Sequence, residues 1–226
     1  QIKPDNRVIT WKQFMKAIYK IYEANKAVYR DFINSGSQFK YAIFLLVNKI
    51  YRTGQIPESF HDTYLSKIYK RKGSVNDLSN YRFIHSKPWL PKLMEKIIVF
   101  QIDHQIRDNT PELQIGGMKG LGTRDHILTT LATMRANAKS NKPMCALLVD
   151  VSKCFDKVRL DDLVYEALQA GCSPAVIKFV ELLSQDTVIK LRGMSRNDLS
   201  RLIKNSVGQG TDFAVLLTTF VIGLII

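Results

Sequence analysis

The run from Leu147 to Asp156, LLVDVSKCFD, constrains the fold more than any other stretch of the chain. Met144, Ala146, Leu147, Leu148 and Val149 read as a buried apolar strand that ends on a carboxylate, Asp150. A second acid, Asp156, follows a lysine and an aromatic. A buried strand can carry an acid at its C-terminal end only where something cationic meets it. A divalent metal is one such partner. The plainer alternative is an aspartate that ends the strand and caps the next turn.

With 226 residues, 46% of them hydrophobic, the chain can form one large domain or two small ones around a real core. Lys and Arg number 33 against 20 acids, a net charge of +13 that favours a polyanionic partner. The excess is uneven: Lys40 to Lys96 holds eleven basic residues and four acids (Glu58, Asp62, Asp77, Glu95). Cys145, Cys154 and Cys172 are odd in number and lack C-x-x-C spacing, which points away from a disulfide framework or zinc site and toward a reducing interior. The polar start QIKPDNRVIT carries no signal peptide and no initiator Met, as expected of an excerpt from a longer chain. Phe213 to Ile226 is nearly all apolar, short for a membrane span and typical of a buried core helix.

Helical spacing covers Trp11 to Tyr29 and Tyr41 to Tyr51, with the breaker NSGS (Asn34 to Ser37) between them. Tyr64 to Tyr69 alternates like a strand and runs into a basic turn, Lys70 to Gly73. Leu90, Met94, Ile98, Ile102 and Ile106 form an i+4 stripe, so Pro88 to Ile106 is expected to be an amphipathic helix. The glycine loop Gly116 to Gly122 leads to a helix with Thr123 as N-cap and Ile127, Leu131, Met134 and Ala138 inward. Helices at Asp161 to Ala170 and Pro174 to Leu183, a strand at Thr187 to Arg192, and a final apolar helix after the turn Val207 to Gly210 complete an α+β pattern. Asp161 and Asp162 read as acids in the first turn of a helix.

Five colinear segments carry a resemblance. TGQIPESF to NYRFI (Thr53 to Ile84), KLMEKII (Lys92 to Ile98), QIGGMKGLGTRDHI (Gln114 to Ile127), ALLVDVSKCFDKV (Ala146 to Val158) and SVGQGTD (Ser206 to Asp212) resemble the motifs of reverse transcriptases from non-LTR (LINE-type) retrotransposons and their group II intron relatives. The similarity runs from roughly residue 40 onward, and five motifs in order are far more specific than any one. Phe83 stands where the family has proline in NYRPI, Gly117 and Met118 where it has Phe-Arg, and Ser206 and Gly208 where it has Gly and Pro.

The resemblance implies a right-hand polymerase, with residues 1–56 an N-terminal helical extension, 57–143 the fingers and 144–226 a partial palm. It implies RNA-directed DNA synthesis with two Mg2+ ions, an RNA template, a DNA primer and deoxynucleoside triphosphates as partners, and the rest of a retroelement polyprotein around it. Asp150 matches the first metal-binding aspartate, with the Val151 carbonyl a further oxygen ligand. Phe155 matches the aromatic under the sugar that disfavours a 2′-hydroxyl; alone it reads as a core Phe. Arg71, Lys72 and Arg82 match basic fingers positions suited to a triphosphate, although a solvated turn explains the first two equally simply. Gln209, in a glycine-flanked turn, matches a contact to the nascent base pair. Lys119 and Arg124 fit template phosphates or plain surface charge.

The family's aromatic-x-Asp-Asp hairpin, which follows the glutamine turn, does not occur in these 226 residues, so the piece alone is expected not to polymerise. Its apolar tail, uncovered, is expected to limit solubility. The competing readings are a decayed or domesticated derivative that binds RNA or heteroduplex without catalysis, and a membrane anchor built on the apolar tail. The polymerase reading has no membrane partner and places the protein inside the cell, in nucleus or cytoplasm.

Overall fold

The computed structural model describes residues 8–118, 120–150, 158–191, 201–203 and 212–225. Three helices come first: α1 (Trp11–Ala24), α2 (Lys26–Asn34) and α3 (Ser37–Thr53). α1 opens on a reciprocal cap, in which Gln13 N–H donates to Thr10 Oγ1 at 3.2 Å and Thr10 N–H donates to Gln13 Oε1 at 2.9 Å. The single helix expected over Trp11 to Tyr29 is broken at Asn25, a residue whose short amide competes with the helix for backbone bonds. α3 ends at Gly54, where φ is +68° and the N–H donates to the Ile50 carbonyl at 2.9 Å.

The remaining helices are α4 (Trp89–Asp108), α5 (Thr123–Lys139), α6 (Leu160–Gln169), α7 (Pro174–Ser184) and α8 (Asp212–Ile225). The strands are β1 (Asp62–Tyr69), β2 (Tyr81–Ser86), β3 (Thr187–Leu191) and β4 (Arg201–Ile203), ordered β2-β1-β3-β4 in one sheet. β1 and β2 form an antiparallel hairpin, β1 and β3 run parallel, and β3 and β4 are antiparallel. A mostly helical chain with one small mixed sheet is the expected α+β class.

α4 is the centre of the core. Met94, Ile98, Ile102 and Ile106 of its expected stripe are buried, with Leu93 and Ile97 beside them, and Leu90 packs at the margin. α1, α7 and α8 all pack on this helix, which is why its buried face is wider than one stripe. Glu95 lies in the same layer, 2.7 Å from Lys87 Nζ, with both side chains almost inaccessible. The Lys87 ammonium also donates to the Leu183 carbonyl at 3.0 Å. A buried charge is tolerable only with such partners. On the other side of the hairpin, His61 Nδ1 donates to the Gln185 carbonyl at 2.8 Å. Both strands of the hairpin are thus fastened at their root to the same short stretch at the end of α7.

Three expectations fail in the described residues. Residues 144–150 form no strand: they have no regular secondary structure, and Leu147 and Leu148 are 88% and 95% exposed. A strand requires a neighbour for its backbone groups, and the sheet's four strands leave 144–150 unpaired. Ile127, Leu131, Met134 and Ala138 do not face inward, because no residue of α5 is buried. The apolar tail is not an uncovered patch. Phe213, Leu217 and Phe220 are buried where α8 lies along α4, whereas Ile127, Leu128, Leu131 and Met134 of α5 and Leu147 to Val149 are exposed. A smaller correction concerns the α5 cap, which is Gly122 rather than Thr123, with Gly122 N–H donating to Asp125 Oδ2 at 2.8 Å. Among the described residues no helix is long and apolar enough to cross a membrane.

Candidate functional site

Three of the five basic residues singled out by sequence, Arg71, Lys72 and Arg82, lie at one end of the β1–β2 hairpin. Tyr69 pairs with Tyr81 on the last rung, and Ile68 pairs with Arg82 on the rung before it. Residues 70–80 close the hairpin and carry Arg71 and Lys72, both exposed. Arg71 adopts φ +57°, a left-handed conformation that costs a non-glycine residue about 1–3 kcal/mol. Such a conformation persists only where the surrounding loop imposes it.

That loop is densely bonded. Lys70 N–H donates to the Asn80 carbonyl and Lys70 Nζ to the Ser79 carbonyl, each at 2.8 Å. Lys70 is thereby committed to structure, whereas Arg71, Lys72 and Arg82 form no ion pair among the described residues. Asp77 accepts from Ser79 N–H at 2.8 Å and from Ser79 Oγ at 2.7 Å. These bonds from Ser79, aided by the nearby Lys70 charge, hold the Asp77 carboxyl below its ordinary range. Gly73 sits at φ +73°, and a Cβ there would collide with the Asn80 side chain.

Two further cations of the sheet were not singled out by sequence, and only Lys67 is near this end, whereas Lys190 lies at the root of the hairpin. Lys67 lies 5.3 Å from the centre of the Tyr81 ring. Lys190, paired with Tyr64 across β1 and β3, is bound to Asp62 at 2.5 Å and so is neutralised. Only their strand pairing, a long-range fact, reveals their place. Arg71, Lys72 and Arg82, with Lys67 at the edge, outnumber the one acid of the loop, Asp77, and can therefore attract phosphate.

Asp150 lies in the segment without regular structure that follows α5 and is exposed. It lies outside the four-stranded sheet, so the structure does not supply the buried strand end that the sequence suggested. Arg124 is exposed in the first turn of α5. Lys119, Val151, Phe155 and Gln209 lie outside the described residues. Among the described residues, no group of three or more His, Cys, Asp or Glu side chains could hold a metal ion. Asp150 thus offers one hard oxygen donor of the type Mg2+ prefers, and no more of a ligand set is described.

Other candidates are structural. Burial pushes the Cys172 thiol up to about 11, which makes it a poor nucleophile. Asp161 and Asp162 occupy the first turn of α6, as expected, with Asp161 3.0 Å from Arg159.

No curated protein matches the chain. A family model described as "Reverse transcriptase (RNA-dependent DNA polymerase)" matches residues 68–225, from the end of β1 through α8. That span takes in the hairpin loop, Arg82, α4, the glycine loop and Asp150, in the order in which the sequence motifs occur. The chain belongs to the reverse transcriptase family.

Proposed function

We propose that this chain is the RNA-directed DNA polymerase region of a non-LTR (LINE-type) retroelement related to group II intron enzymes, acting inside the cell, in nucleus or cytoplasm. The observation that carries the reading is the clustering of Arg71, Lys72 and Arg82 at one hairpin end within the family match. Residues 1–56 form a helical extension in this reading, 57–143 the fingers and 144–226 part of the palm, with the remainder of the polyprotein beyond.

Each residue has a role in that reaction. The Arg71 and Arg82 guanidinium groups and the Lys72 ammonium bind the triphosphate of an incoming deoxynucleotide and hold it against diffusion. Phe155 lies beneath the sugar and excludes a 2′-hydroxyl. Gln209 touches the nascent pair, while Lys119 and Arg124 hold template phosphates. Asp150, with the Val151 carbonyl, would help to hold the two Mg2+ ions of the complete site. When bound, those ions neutralise charge on the phosphates and favour the 3′-hydroxylate.

Primer extension on an RNA template by the full-length protein tests this. Asp150→Asn is expected to reduce extension to background while leaving template binding intact, and Arg82→Ala to raise KM for the deoxynucleotide more than it lowers kcat. Extension that survives Asp150→Asn would sink the proposal. Template binding without any extension by the unsubstituted protein would instead favour a non-catalytic RNA- or heteroduplex-binding derivative.

A further inference from the structure

Three consecutive carbonyls in the hairpin loop, those of Gly73, Ser74 and Val75, are each held by a side chain from the loop's base. Tyr69 Oη donates to the Gly73 carbonyl at 2.6 Å, Asn80 Nδ2 to the Ser74 carbonyl at 2.9 Å, and Tyr81 Oη to the Val75 carbonyl at 2.8 Å. The two tyrosine rings lie 5.3 Å apart, on the rung that closes the strands. None of the three side chains is charged, and all three are occupied with backbone. Their bonds fix the path of residues 73–75, while Arg71 and Lys72, like the rest of 70–79, remain exposed.

We infer that Tyr69, Asn80 and Tyr81 are positioning residues that hold the 70–80 loop in one shape so that Arg71 and Lys72 meet a phosphate without first having to be ordered. This inference rests on the phosphate-binding role proposed above for the tip. An eleven-residue loop left to itself samples many shapes, and fixing it on binding would weaken affinity. Three local bonds remove that cost beforehand. The left-handed Arg71 is consistent with a loop whose shape is imposed from its base. The phosphate belongs either to a nucleoside triphosphate or to a nucleic-acid backbone, and the two sources are separable by experiment.

The test compares the full chain with Tyr69→Phe/Tyr81→Phe, which keeps both rings and removes both hydroxyls, with Asn80→Asp, and with Arg71→Gln/Lys72→Gln. Brief trypsin digestion reads loop order directly, because Arg71 and Lys72 are cleavage sites inside the loop. Cleavage there is expected to accelerate about tenfold in the double Phe variant, from two lost hydrogen bonds. Asn80→Asp, which cannot donate to Ser74, is expected to behave alike. Affinity for deoxynucleoside triphosphate and for a labelled RNA–DNA primer–template is measured across salt concentrations. The double Phe variant is expected to bind the true phosphate source roughly 3- to 10-fold more weakly with an unchanged salt slope, since no phosphate contact is lost. Arg71→Gln/Lys72→Gln is expected to weaken binding and also flatten the slope. Unchanged cleavage and affinity in the double Phe variant would overturn the inference and leave the proposed function standing. Loss of binding accompanied by a flattened slope in that variant would also overturn it, because the hydroxyls would then be contacts themselves. An unsubstituted chain that binds neither ligand would overturn both.

Discussion

Helices α4 and α5, 20 and 17 residues long, both carry apolar residues at i and i+4 spacing, yet α4 buries eight residues and α5 buries none. Spacing states which face of a helix is apolar; it does not state what covers that face. α4 is covered by α1, α7 and α8. α5 depends on local bonds: the Asp125 cap on Gly122, and the hydroxyls of Thr129 and Thr133, which donate to the carbonyls one turn back at 3.0 Å. A helix of this length with no tertiary burial is marginal in water, so the two helices should respond to substitution on different scales.

The largest expected effect is at Glu95. Glu95→Ala leaves the Lys87 ammonium buried without its counter-charge and should cost about 3–5 kcal/mol in urea unfolding. Ile98→Ala, a cavity in the middle of the α4 interface, should cost about 3 kcal/mol by the same measurement. In α5, Asp125→Ala removes a cap, and the expected loss is about 1 kcal/mol of local helix stability, read by amide exchange within 123–139. Leu131→Ser should change global stability by less than about 0.5 kcal/mol. A loss at Leu131 comparable to that at Ile98 would break the comparison, because it would mean that α5 is covered in solution.

The hairpin tip resembles α5 in being held by local bonds, and its acid response is the subtlest expectation. Asp77 is held below its ordinary value of 3.8, chiefly by hydrogen bonds from Ser79. Its contribution to loop order is therefore fully present above that value and is lost as the pH falls through the lowered one. Amide exchange at Ser79, corrected for intrinsic rates, should quicken below about pH 4. Exchange that stays constant down to pH 2.5, or about that, would remove Asp77 from the account of the tip.

Elements whose signal is local were legible in the sequence. The α4 stripe, the presence of a helix between the breakers at 34–37 and 53–57, the β1 strand and the acids of α6 all follow from spacing and turn chemistry within one segment, although α3 starts four residues before the expected Tyr41. α8 was legible as a core helix for the same reason. Elements that exist only through pairing were not. β2 mixes Tyr, Arg, Phe, Ile, His and Ser without clean alternation, and it becomes a strand because β1 lies beside it. Residues 144–150 show the converse, an apolar run with every local mark of a strand and no paired neighbour. The candidate site divides along the same line. The basic tip was visible as a charged turn, but its convergence with Arg82 needed the register, and the Tyr69, Asn80 and Tyr81 bonds needed coordinates.

The hairpin is fastened at its root by His61 and Lys87 to the carbonyls of Gln185 and Leu183. It is therefore a cantilever clamped at one end, and its free end is the part that carries Arg71 and Lys72. A pull on that free end is borne about 26 Å away, eight strand residues at about 3.3 Å each. β1 is also paired with β3 from Asp62 to Leu65, so the overhang begins beyond Leu65 and the reach of the basic tip is set at this root as much as within the loop.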